Sequence, residues 1–162
     1  MIEHLRSHTF SAAFSLLPPH MDTPEAQAML IAIGLQESRF KHRRQVNGPA
    51  RGFWQFEKGG GVRGVLTHAK VAPIMAEALT AQAYQVGVDV LYAAIEHNDV
   101  IACVAARLLL WTVPGRLPGP DDPEVGWQQY LDGWRPGKPH RGTWDAFYRE
   151  AWSQINRVET ET

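Results

Sequence analysis

The stretch Asp22–Phe40, DTPEAQAMLIAIGLQESRF, decides how this chain is read. Asp22-Thr23-Pro24-Glu25 is a helix start: Asp22 can cap free N–H groups, proline is tolerated in the first turn, and Glu25 stands where a capping-box acid would. Ala26, Met29, Leu30, Ile33 and Glu37 then recur at helical spacing. Glu37 therefore shares a face with Ile33 and Leu30 and points inward among apolar neighbours. Desolvation there disfavours the charged carboxylate and raises its pKa toward that of a usable general acid. The following segment, Lys41–Glu57, begins with a basic run. It continues through the turn residues Asn47-Gly48-Pro49 into the aromatic-flanked glutamine of Gly52-Phe53-Trp54-Gln55-Phe56, a surface suited to lining a groove.

At 162 residues the chain reads as one domain, 1–162, large enough to bury a core. Its 44% hydrophobic and 20% charged residues are those of an ordinary globular protein. A net charge of −1 gives no global pull toward nucleic acid or a membrane surface. With one cysteine, Cys103, no internal disulfide can form. The seven histidines fall at no metal-ligand spacing, so no metal or cofactor is expected. The apolar run from Phe10 to Leu17 is preceded by Glu3, His4, Arg6 and His8 and followed by Pro18-Pro19. It is read as an amphipathic helix, not a signal peptide.

Outward from the Glu37 helix, the expectation is mainly α. A first helix spans about 2–17, with Phe10, Ala13, Phe14 and Leu17 inward. Residues 41–66 read as a long loop, with room for a short hairpin and with Gly59-Gly60-Gly61 as flexible chain. From Pro73, Ile74, Met75, Ala78 and Leu79 make one stripe, and Val86, Val90, Leu91, Ala94 and Ile95 another. Asn98-Asp99 caps the most apolar segment, Val100–Val113, whose only charge is Arg107; hydrophobic all round but short of the ~20 residues of a membrane span, it is the expected central helix. A proline-rich connector covers 114–123. Two helices follow, Glu124–Trp134 and Trp144–Asn156, the latter with Phe147, Tyr148, Ala151, Trp152 and Ile155 inward and an acidic tail after it.

Gln36-Glu37-Ser38-Arg39-Phe40, followed by Ala50-Arg51-Gly52-Phe53-Trp54-Gln55, resembles the signature of the soluble lytic transglycosylases, enzymes of lysozyme-like fold that cleave peptidoglycan. The resemblance implies that Glu37 alone is catalytic. It protonates the glycosidic oxygen and then, as a base, takes the proton of the sugar's own 6-hydroxyl, which closes an anhydro ring. Ordinary glycosidases need two carboxylates ~5–9.5 Å apart; a tethered hydroxyl nucleophile removes the need for the second. Ser38 is expected to orient Glu37 or the loop, Gln55 to bond a sugar N-acetyl group, and Phe53, Trp54 and Trp134 to offer faces to sugar rings, with Trp54 nearest the groove. Tyr130 and Gly133 match the spacing of a further segment that brings a tyrosine to the catalytic glutamate, where it would help hold the proton; Leu131 stands where that segment has asparagine.

Glu57, Asp132 and Asp145 are the candidates for a second carboxylate, and a hydrolytic muramidase using Glu37 and Glu57 is the alternative enzyme. A non-catalytic virion or tail module is the alternative outside enzymes. Leu131 and the absence of a serine-proline before Gly48 favour it. The glycan strand of peptidoglycan is the expected partner, with virion or tail proteins beside it. Lacking a signal peptide, such a protein would be phage-encoded and delivered to the wall by the virion or a lysis system. The basic run Lys41, His42, Arg43 and Arg44 is read as a solvated loop, with acidic stem-peptide groups as a further partner.

Overall fold

The computed structural model describes residues 1–160, with side chains as far as residue 157; Glu161 and Thr162, the end of the expected acidic tail, lie outside the described residues. The helix around which the others pack is the one with the least polar sequence. Asp99–Thr112 (α6 in chain order) starts at Asn98, whose side-chain oxygen accepts from the Val100 and Ile101 N–H groups. Every residue from Ile101 to Leu110 is buried, Arg107 included. Each fully buried leucine or isoleucine of this run contributes roughly 1.5–3 kcal/mol.

The helices before it are α1 (residues 2–15, π-helical over Leu5–Phe10), α2 (Pro24–Ser38), α3 (Arg63–Thr67), α4 (Ala72–Ala81) and α5 (Val88–His97); α7 (Pro123–Trp134) and α8 (Arg141–Thr160) follow. α6 packs against α1 to α5 and against α7, while α8 lies along α2. One core runs from Leu5 to Ile155. The described residues are thus mainly helical, with no strand beyond isolated bridges pairing Arg44 with Arg51 and Arg51 with Phe56. No helix among them is long and apolar enough to cross a membrane.

Several expectations are corrected in detail. The cap of α2 is Thr23, which accepts from the Ala26 N–H at 3.1 Å; the Asp22 carboxylate instead accepts from the Gln27 amide. The loop after α2 ends at Glu57, because Lys58–Val62 turns helically into α3, and Gly59-Gly60-Gly61 belongs to that turn. Val86 precedes α5 and is exposed, and Phe147 is only half-buried. The basic run Lys41–Arg44 is solvated, as read, but two of its members are also paired: Arg43 makes two 2.8 Å bonds to Asp99, and Arg44 joins Arg51 in pairing with Glu96. These pairs staple the 41–57 loop to the α5–α6 junction.

Candidate functional site

Glu37 lies one residue from the C-terminal end of α2, where Arg39 adopts a left-handed conformation (φ 56°) and turns the chain. The next buried residue, Phe40, folds back under the helix against Gly34, where a Cβ would meet the Phe40 ring at 2.1 Å. Ser38 fastens the returning loop: its hydroxyl donates to the Phe53 carbonyl at 2.6 Å and accepts from the Phe40 N–H at 3.1 Å. Gly52 has a positive φ (76°), and a Cβ there would meet Ile95 at 2.6 Å, so the Gly52–Gln55 turn admits only glycine at its start.

Phe53 and Trp54 then enter the core, 3% and 1% exposed, and the Trp54 indole N–H donates to the Leu30 carbonyl at 2.8 Å. This overturns the expectation that they present faces to a ligand. Their rings meet Phe40 edge-on and support the turn from below. Ser38 is likewise a fastening of the loop and makes no contact with Glu37 among its hydrogen bonds. The Gln55 amide donates to the Gly52 carbonyl at 2.8 Å, closing its own turn.

Tyr130, on α7 and 93 positions away, donates its hydroxyl to the Glu37 carboxylate at 2.7 Å. Stacking on Trp144 and contact with Trp127 hold the phenol in place. Burial is the main influence on Glu37, and it pushes the carboxyl from the ordinary 4.5 to about 7. The Tyr130 bond opposes this, since a donor to a carboxylate favours the charged form. Tyr130 therefore orients the carboxylate; it does not help to hold the proton, contrary to expectation. Negative charge on Glu57 adds a smaller upward push. No cation forms an ion pair with Glu37 among the described residues.

The structure brings Glu37, Tyr130 and Glu57 into one neighbourhood. Asp132 is exposed, and Asp145 is exposed and paired with Arg141. Trp134, one helical turn beyond Tyr130, remains partly open, donates its indole N–H to the Trp54 carbonyl at 2.8 Å and meets Phe56 edge-on. Its ring also meets that of Tyr130, the donor to Glu37, so it is this partly open tryptophan, and not the buried Trp54, that adjoins the pair. The i to i+4 spacing from Tyr130 carried that signal. Among the described residues no three His, Cys, Asp or Glu side chains converge as metal ligands would. Cys103 is fully buried on α6, and its thiol is pushed up, away from the reactive thiolate. No protein-family model, curated protein or solved structure matches this chain.

Proposed function

We propose that the chain is a peptidoglycan lytic transglycosylase of lysozyme-like fold that cleaves the β-1,4 bond between N-acetylmuramic acid and N-acetylglucosamine without water, leaving 1,6-anhydro ends. The observation that carries this reading is the Glu37–Tyr130 pair, because the same carboxyl that Tyr130 orients has a pKa of about 7. Near neutral pH it is populated in both forms, as an acid that later serves as a base requires. Protonated Glu37 gives its proton to the glycosidic oxygen as the bond breaks. The carboxylate so formed accepts the proton of the 6-hydroxyl as that oxygen bonds to the anomeric carbon, and Glu37 is regenerated protonated. Tyr130 keeps one carboxylate oxygen fixed, leaving the other to carry the proton. Gln55, through its carbonyl oxygen, and Trp134, through its ring, are the neighbours proposed to meet the sugar. The partner is the glycan strand, reached in this proposal from a phage particle or through a lysis system.

A second reading, a hydrolytic muramidase, is favoured by the electrostatic effect of Glu57 on Glu37. Digestion of purified peptidoglycan with product analysis separates the two. Anhydromuramic ends support the transglycosylase, while reducing muramic ends with no anhydro sugar point to hydrolysis. In a turbidity assay Glu37→Gln is expected to lose nearly all activity. Equal lysis by wild type and Glu37→Gln would defeat both readings, since each rests on Glu37, whereas no lysis by either would leave a wall-binding module.

A further inference from the structure

A separate cavity of about 1020 Å³ opens between the end of α6, the 114–119 connector and the starts of α2 and α7. Neither Glu37, Tyr130, Glu57 nor Trp134 lines it. Its size is at the upper end of that of small-molecule sites. Arg107 lies in its wall and is 2% exposed. The Arg107 Nε donates to the Met21 carbonyl at 2.9 Å, but among the described residues its two Nη groups have no hydrogen-bond acceptor and no carboxylate pairs with it. Asp22 acts on it only at a distance, its carboxylate being engaged by Gln27. Burial lowers the guanidinium pKa to about 10, so it stays charged at neutral pH. Among the described residues the sealed polar atoms without a partner do not include the Arg107 Nη groups, which therefore reach the open cavity; their planar pair matches a carboxylate bidentately.

The rest of the wall mixes polar side chains with an apolar strip. Trp111 and Val125, two of the five large hydrophobic residues that are exposed among those described, both line this cavity, as do Val113 and Leu117. Trp111 is held by Arg107 against its face and His20 against its edge. Lys70 and Arg116 add positive charge at the exposed margin, against Glu25 and Asp122.

The geometry points to a binding site for a small organic carboxylate, its carboxyl on the Arg107 Nη groups and its apolar body on Trp111. The test uses the full chain and 3-phenylpropionate, with the neutral amide 3-phenylpropanamide and inorganic phosphate for comparison, read by calorimetry and by the Trp111 indole N–H signal. Saturable binding of the acid is expected, with the amide and phosphate each at least about tenfold weaker. Trp111→Ala, at an exposed position, should weaken the acid about tenfold, Arg107→Gln should abolish binding, and Glu37→Gln should leave it unchanged. Should Arg107→Gln fail to fold, the acid–amide and Trp111→Ala comparisons still decide. Absence of binding, equal affinity for acid and amide, equal affinity for phosphate, an unchanged Trp111→Ala or loss of binding in Glu37→Gln would each overturn the assignment. The last result would place the probe beside Glu37.

Discussion

Replacing Tyr130 by phenylalanine isolates one hydrogen bond to the candidate acid. The ring contacts with Trp127 and Trp144 do not involve the hydroxyl, so the fold should survive. The lost interaction is a 2.7 Å bond from a phenol to a carboxylate. Hydrogen bonds to charged groups are worth ~1.5–3 kcal/mol, and Glu37 keeps enough solvent access for water to replace part of this. A net loss of about 1.4 kcal/mol, just under the lower end of that range, is a tenfold change in proton affinity. Because the bond favours the charged form, its removal must raise that affinity, adding to the effect of burial. Carboxyl-labelled NMR titration of wild type and Tyr130→Phe measures it directly. If Glu37 is the acid of the lytic reaction, activity declines as pH rises through its pKa, and the decline in the variant should move about one pH unit higher. A Glu37 titration that stays put or moves lower in Tyr130→Phe would refute the balance of burial against hydrogen bonding argued here.

The same burial predicts a stability cost at the site. A carboxyl raised from 4.5 to about 7 penalises the folded state progressively as pH rises between those values, and not below them. At ~1.36 kcal/mol per pH unit the gap of about 2.5 is worth roughly 3 kcal/mol, discounted to about 2 for residual solvent access. Glu37→Gln should therefore melt about 4–8 °C above wild type at pH 8 and equal it at pH 4; scanning calorimetry showing no gain at pH 8 would contradict a desolvated carboxyl. Gly34→Ala should destabilise by ~1–3 kcal/mol, because the new methyl meets Phe40, itself wedged between Phe53 and Trp54. An unchanged urea midpoint would show that Phe40 is not packed as described.

Helix-period patterning was sufficient to place the long elements. Ile33, Leu30 and Glu37 fall on one face because 3.6-residue geometry leaves no other choice, and the all-apolar Ile101–Leu110 run had nowhere to go but the centre. The resemblance pointed at Tyr130, and the hydrogen bond to Glu37 closes across 93 residues. The segment 41–57 was legible only as turn chemistry. Its aromatic content suggests a groove equally well as a core, and burial depends on what the rest of the chain puts above it. There α5, α2 and α7 decided: Ile95 over Gly52, Leu30 as acceptor for Trp54, and Trp134 covering the Trp54 carbonyl. The pairing of Arg43 and Arg44 with Asp99 and Glu96 was hidden for the same reason, since a local run of like charge says nothing about distant carboxylates. The cavity at Arg107 lay beyond sequence altogether. A lone arginine in an apolar helix announces burial, but only the packed chain shows that its terminal nitrogens have no partner among the described residues and open on a cavity. Local periodicity is set by covalent geometry, whereas desolvation, partner choice and empty space are properties of residues that meet only after the chain has folded.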